Sequence, residues 1–190
     1  MKKGYFGIRE GGSHQLGLLY AVKHTSKPIL ELGAGESSTV QIHEATKNRI
    51  LTIESHPHWL SRFTHLRSEN HSLVLMSSFQ MLEFFKEDTT EWGLVFVDCQ
   101  GGNWAERQAA IKKYKDIADY IVVHDTEYSA VMNFFGRVVE EKRNFSKEFK
   151  YWIEFHPVGM TDVPATVLAS NKIDLKDVNI EGIIVINRNK

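Results

Sequence analysis

The stretch Pro28-Ile29-Leu30-Glu31-Leu32-Gly33-Ala34-Gly35-Glu36-Ser37-Ser38-Thr39 reads as a strand, a glycine turn and the start of a helix. Glycine serves where the backbone must take positive φ, or where another group must approach without a Cβ in the way. Ser37 or Ser38 can cap the following helix, whose free N–H groups favour electronegative atoms. A Gly-x-Gly turn alone is a common tight connection. It gains meaning from Glu54, about twenty residues on at the end of the next apolar run, where a ribose-binding acid belongs in a nucleoside-binding βαβ unit.

Working outward, short apolar and β-branched runs recur at Ile29–Leu32, Ile50–Glu54, Leu73–Met76, Leu94–Asp98 and Tyr120–His124. Their centres lie roughly 21–26 residues apart, room for a strand, a helix and two short loops. Trp59, Phe63 and Leu66 share one helical face, and Met81, Leu82 and Phe85 form the apolar side of a shorter helix. Asn103-Trp104-Ala105-Glu106 reads as a helix cap opening a helix to about Ala118. The runs are apolar on both faces, as a parallel sheet covered by helices requires. Five such units predict a doubly wound α/β sheet.

The rhythm changes after Ser129, where a helix is expected over Ala130–Lys142. Three strand-like runs follow, Phe149–Phe155, Ala165–Ala169 and Ile183–Asn187. The first two are separated by too few residues for a helical crossover, so they are expected to pair antiparallel. The last run either joins the sheet or mediates pairing between copies. A single domain spans 1–190, with an N-terminal helix or lid segment at 1–24, a core at 25–170 and a C-terminal extension with an extra strand at 171–190.

Charge is balanced, with 23 basic and 24 acidic side chains, giving no long-range field to hold nucleic acid or an anionic membrane. Cys99 is the single cysteine, which excludes an intrachain disulfide framework. No apolar run approaches a membrane span, and Gly4 to Gln15 is too polar for a signal-peptide core, so a cytoplasmic location is expected.

Two nucleoside cofactors compete for the glycine turn. A dinucleotide site wants a third glycine, whereas this chain offers Gly33-x-Gly35-x-x-Ser38 and no second domain to present a substrate to a nicotinamide. Glu31-Leu-Gly33-Ala-Gly35, Glu54 closing strand two, Val97-Asp98 closing strand four and the terminal strand pair together resemble a class I S-adenosylmethionine-dependent methyltransferase. The resemblance covers roughly residues 25–170. It implies a Rossmann-like sheet, mostly parallel, of order 3-2-1-4-5-7-6 with strand seven antiparallel. It further implies that Glu31 and Gly33-Ala34-Gly35, with Ser38 beside them, surround the methionine end of the cofactor. Glu54 would take the ribose hydroxyls, Ser77 and Ser78 would lie near the adenine, and Asp98 would sit beside the methionine moiety or the substrate.

A second cluster joins Val97-Asp98-Cys99-Gln100-Gly101-Gly102-Asn103-Trp104 to Ile121-Val122-Val123-His124-Asp125-Thr126, both at the carboxyl ends of expected strands. Asp98, His124 and Asp125 therefore converge, and three roles stay open. His124 is suited to general base catalysis near neutral pH. Asp98 and Asp125 with His124 are suited to hold Mg²⁺ or another divalent ion that activates a substrate hydroxyl. A buried His–Asp pair is equally suited to tie loops together. Catechol-type methyltransferases place Asp-Asn after strand five, where this chain has Asp125-Thr126.

Arg9-Glu10-Gly11-Gly12-Ser13-His14 precedes the first strand and is read either as a lid over the pocket or as a helix start with Ser13 as its cap. His56 and His58 flank a helix-opening Pro57, and Cys99 reads as a structural thiol. The leading expectation is a methyltransferase acting on an oxygen or nitrogen of a small molecule. The alternatives are an NAD-type oxidoreductase and a non-catalytic cofactor-fold protein that binds partners, and self-association is a further expectation.

Overall fold

The computed structural model describes residues 14–99, 105–124, 126, 148–156, 166–178 and 184–189. In chain order these form α1 (Gln15–Lys23), β1 (Ile29–Leu32), α2 (Thr39–Ala45), β2 (Ile50–Glu54), α3 (Pro57–Ser61), β3 (His71–Leu75), α4 (Ser78–Glu87), β4 (Leu94–Val97), α5 (Ala105–Tyr114), β5 (Tyr120–His124), β6 (Tyr151–His156), β7 (Thr166–Ser170) and β8 (Ile184–Asn189). The strands make one sheet of order β3-β2-β1-β4-β5-β7-β6-β8. The first five are parallel, and β7 runs antiparallel between β5 and β6. The expected order 3-2-1-4-5-7-6 is therefore present. The terminal run joins the sheet as an eighth strand, antiparallel on the free edge of β6.

β1, β4 and β5 are buried along their whole length, as double coverage demands. The edge strand β3 departs from the both-faces expectation, alternating buried His71 and Leu73 with exposed Ser72 and half-buried Val74 before it ends on exposed Leu75. On one face Leu30, Leu32, Val95, Val97, Ile121 and Val123 pack with Met81 and Phe85 of α4 and Ala110, Ile111 and Tyr114 of α5. On the other, Ile29, Ile50, Leu94, Phe96 and Val122 pack with Leu18, Ala21 and Val22 of α1 and Ile42 of α2. Strand alternation and the parallel register put Glu31, Thr52, His71, Asp98 and His124 on this second face. That parity decides where the polar groups meet.

Two expected helices are shorter than their patterns. Hydrogen bonds of the i→i−3 type from Arg62 and Phe63 break the Trp59–Leu66 face into α3 and a tighter turn at Thr64–Leu66. α5 ends at Tyr114, and the amides of Ile117 and Ala118 both turn back onto the Tyr114 carbonyl. The helix expected over Ala130–Lys142 and the Asn103 cap lie outside the described residues.

Candidate cofactor and acceptor site

β1 and β4 are neighbours whose connecting helices lie on opposite faces, so their carboxyl ends open the crevice where ligands bind in such sheets. Gly33 has φ of 95°, and a Cβ there would stand 2.5 Å from the Asp98 carbonyl oxygen. The glycine thus lets the turn after β1 press against the end of β4. Gly33→Ala is expected to lower the unfolding free energy by about 1–3 kcal/mol from backbone strain alone, measured by urea titration.

The turn is held from two sides by carboxylates. Glu54 Oε2 accepts from the Ala34 amide at 2.9 Å, while Oε1 accepts from the amides of Ser55 at 2.7 Å and His56 at 2.8 Å. A carboxylate has about four acceptor positions, so Oε2 keeps capacity for a hydroxyl. Trp59 Nε1 donates to the Ala34 carbonyl, and Arg62 covers the Trp59 ring at 4.3 Å while pairing with Glu36.

Glu31 lies beneath the turn. It is fully buried, with Oε1 accepting from the Thr39 hydroxyl at 3.1 Å and Oε2 from the Thr52 hydroxyl at 2.7 Å. It therefore reaches the turn through Thr39, whose oxygen accepts from the Gly35 amide at 2.8 Å, instead of facing the crevice. Burial pushes the carboxyl up to about 7, against the Ser38, Thr52 and Thr39 hydroxyls and with help from the Asp98 charge. His71 accompanies it: burial, aided by His43, lowers that imidazole to about 4, so it is neutral at physiological pH.

Ser38 is buried beside this carboxylate but makes no side-chain cap for α2. Its φ of −125° and ψ of −62° miss the extended geometry a capping side chain needs. Ser77 is committed to a capping box with Gln80, with Ser77 Oγ to Gln80 Oε1 at 2.9 Å. Ser78, exposed at the first turn of α4, is the remaining serine hydroxyl at this corner. The Met76 amide donates to the Glu54 carbonyl at 3.0 Å, which sets the end of β3 beside the end of β2.

Across the crevice, Asp98 Oδ1 lies 3.1 Å from His124 Nδ1 and 3.2 Å from Arg107 Nη2. Burial alone would raise the Asp98 carboxyl, but the His124 hydrogen bond and charge, with Arg107 and His14, hold it below the usual range. An ionised carboxylate only accepts, so His124 donates from Nδ1 and its basic lone pair falls on Nε2. Arg107 also donates from Nε to the Cys99 carbonyl at 2.9 Å and from Nη1 to the His124 carbonyl at 2.6 Å, clamping the ends of β4 and β5 together. The Cys99 thiol is buried and raised to about 12 by that burial, which fits the structural reading.

His14 closes the group from the N-terminal side. Its ring is edge-on to His124 with centroids 4.4 Å apart, and Nε2 donates to the Ser37 carbonyl at 3.2 Å. Of the lid segment, Gly11, Gly12 and Ser13 lie outside the described residues, while His14 stands at the site. His56 serves as the α3 cap, accepting from the Trp59 amide at 3.4 Å.

His14, Asp98 and His124 bring ligand-type atoms within 4.8 Å of one another. Two imidazoles and one carboxylate do not fit Mg²⁺, which prefers oxygen ligands, and Arg107 already balances the Asp98 charge. Asp125, the other carboxylate expected here, lies outside the described residues, as do Gln100 to Trp104. Sequence reading missed Arg107 and the Thr39–Thr52–His71 group. Arg107, Ala110, Ile111 and Tyr114 are all buried at helical spacing, and a cation on that stripe was the available signal.

No family model and no curated protein matches the chain. Solved structures do match its architecture. The O-methyltransferase TomG from Streptomyces achromogenes, crystallised with SAM, shares 19% identity over 88% of this chain and 82% of that one, with a TM-score of 0.61. A putative O-methyltransferase from Klebsiella pneumoniae shares 17% over 89% and 83%, with a TM-score of 0.60. The N-methyltransferase NodS from Bradyrhizobium japonicum shares 17% over 85% and 93%, with a TM-score of 0.56. The described residues thus carry the Rossmann-like fold of the class I methyltransferases.

Proposed function

We propose that the protein is an S-adenosylmethionine-dependent methyltransferase acting on an oxygen or nitrogen of a small-molecule acceptor. The observation that carries this reading is the convergence, at the β1/β4 crevice, of the glycine turn, the Glu54 carboxylate and the Asp98–His124 pair. The likeness to TomG and its fold relatives supports it.

The donor set fits the cofactor. Oε2 of Glu54 would take a ribose hydroxyl, the Gly33–Gly35 backbone would line the methionine end, Ser78 would stand near the adenine, and Asp98 would face the ammonium group. When bound, S-adenosylmethionine supplies a methyl group activated by its sulfonium. His124 Nε2 would accept the proton of the acceptor hydroxyl or amine, and Asp98 would stabilise the imidazolium that forms. His14 and Phe96, whose centroids are 4.9 Å apart, wall the same corner and help exclude water. Much of the rate comes from positioning, because the leaving group is neutral.

Asp98 and His124 carry the catalytic assignment, to which we add Asp125 by its place in the sequence next to His124. We assign the cytoplasm as compartment and a small molecule as partner, with self-association open to the sheet edge at β8. No helix among the described residues is long and apolar enough to cross a membrane.

Calorimetry with S-adenosylmethionine, S-adenosylhomocysteine and NAD tests the reading. The two adenosyl compounds are expected to bind and NAD to give no heat. A preference for NAD would replace the methyltransferase reading with that of an oxidoreductase.

A further inference from the structure

A continuous file of hydrogen bonds runs from the surface of α2 to the glycine turn. The half-buried His43 Nδ1 lies 3.0 Å from His71 Nδ1, and His71 Nε2 lies 2.9 Å from the Thr52 hydroxyl. Thr52 then donates to Glu31 at 2.7 Å, Thr39 donates to the other Glu31 oxygen at 3.1 Å, and the Gly35 amide donates to Thr39 at 2.8 Å. Glu31 and Thr52 are register partners on β1 and β2, and His71 lies on the same face of β3. The file is thus built into the sheet.

With Glu31 ionised, the proton inventory has one solution. His43 Nδ1–H donates to His71, His71 Nε2–H donates to Thr52, and both threonine hydroxyls donate to the carboxylate. Every proton points inward. We propose that His43, His71 and Thr52 form a proton path by which solvent sets the charge on Glu31, and that this charge, passed through Thr39 to the Gly35 amide, tunes how tightly the glycine turn holds the cofactor.

The transfer balances. A proton from water binds His43 Nε2. His43 passes its Nδ1 proton to His71 Nδ1, His71 passes its Nε2 proton to Thr52, and Thr52 passes its hydroxyl proton to Glu31 Oε2. Each bond survives with its direction reversed, His43 and His71 end neutral, and one proton has been added at Glu31. The Thr39 bond to Oε1 is then no longer charge-assisted, and such bonds are about half as strong. The hold on the Gly35 amide loosens with it, so acid weakens cofactor binding.

The titratable groups facing Glu31 are Asp98 from the end of β4 and, through Thr52, His71 of β3 and His43 of α2. From α1, His14 bears on Asp98, and Glu54 at the end of β2 holds the same turn through Ala34. His14 and His124 are titratable groups that bear on Asp98, so a Glu31→Gln control is needed. Burial keeps Glu31 near the middle of its titration at neutral pH, with its carboxyl at about 7.

The binding arm rests on the methyltransferase reading and uses calorimetry with S-adenosylhomocysteine between pH 6 and pH 8. If only the ionised form binds well, Kd weakens roughly tenfold toward pH 6. Glu31→Gln flattens the profile. Thr52→Val, close in shape, removes one donor to the carboxylate and moves the midpoint up by about one pH unit. A merely structural Thr52 would weaken binding equally at every pH, and that result, or a flat wild-type profile, overturns the proposal. A second arm needs no ligand: ¹⁵N spectra of the wild-type chain should show His71 changing from the Nε2–H to the Nδ1–H tautomer over the same midpoint while staying neutral. A fixed tautomer overturns the path. Absence of binding at every pH strikes the methyltransferase reading, and the tautomer measurement still decides the path.

Discussion

His124→Ala is expected to reduce methyl transfer roughly 10²–10⁴-fold, the usual contribution of a general base, while S-adenosylhomocysteine affinity stays unchanged. The expectation follows from where the proton sits. Asp98 is held ionised and accepts from Nδ1 at 3.1 Å, which leaves the basic lone pair of His124 on Nε2. Asp98 fixes the tautomer and would balance the imidazolium, so the pair acts as a unit. The base role also separates from the metal role. Turnover is expected to survive EDTA, because Asp98, the carboxylate of the described donor set, is already paired with the Arg107 guanidinium. Steady-state kinetics on wild type and variant, each with and without chelator, make the comparison. Full turnover in the alanine variant would remove His124 from the chemistry, and chelator-sensitive turnover would reinstate a metal.

The largest effect on stability is expected from Arg107→Met, a loss of about 3–5 kcal/mol, typical of breaking a buried ion pair by removing one partner. The guanidinium is buried and donates to acceptors at the carboxyl ends of two strands: the Cys99 carbonyl and Asp98 just after β4, and the His124 carbonyl of β5. Removing it strands two carbonyls and leaves Asp98 without its cation at the carboxyl edge. Lysine should not rescue the loss, since one ammonium cannot match the planar fork that spans these acceptors. Urea unfolding measures the change. A loss under about 1 kcal/mol, the scale of an exposed pair, would mean the clamp is not holding the strand ends.

The parallel sheet was legible because buried strands leave continuous apolar runs at a fixed spacing. Residues 157–165, expected to be too short for a crossover, fall between β6 and β7, which pair antiparallel as anticipated. The glycine turn and Glu54 were legible for a similar reason, since each sits at the end of an apolar run, and Glu31 stood out as the one charge inside its run. What escaped depends on register. That Thr52 lies opposite Glu31, with His71 two residues before Thr52's own partner on β3, follows only from how three strands are aligned. The helix start was legible, with Ser38 at the cap position, but the bonding was not: Ser38 makes no side-chain cap, and Thr39, the first helical residue, carries the hydroxyl that takes the Gly35 amide. Ser77, which the resemblance sets near the adenine, also opens a helix, and Ser77-Ser78-Phe79-Gln80 has the spacing of the capping box that it forms.

The most direct measurement of the central claim is a titration of ¹⁵N-labelled protein with S-adenosylhomocysteine, followed through backbone amide shifts. The largest shifts should fall on Gly33, Ala34 and Gly35, with Ser55 and His56 responding through Glu54, whose carboxylate accepts from both. Shifts centred on another part of the sheet, or none at saturating ligand, would contradict it.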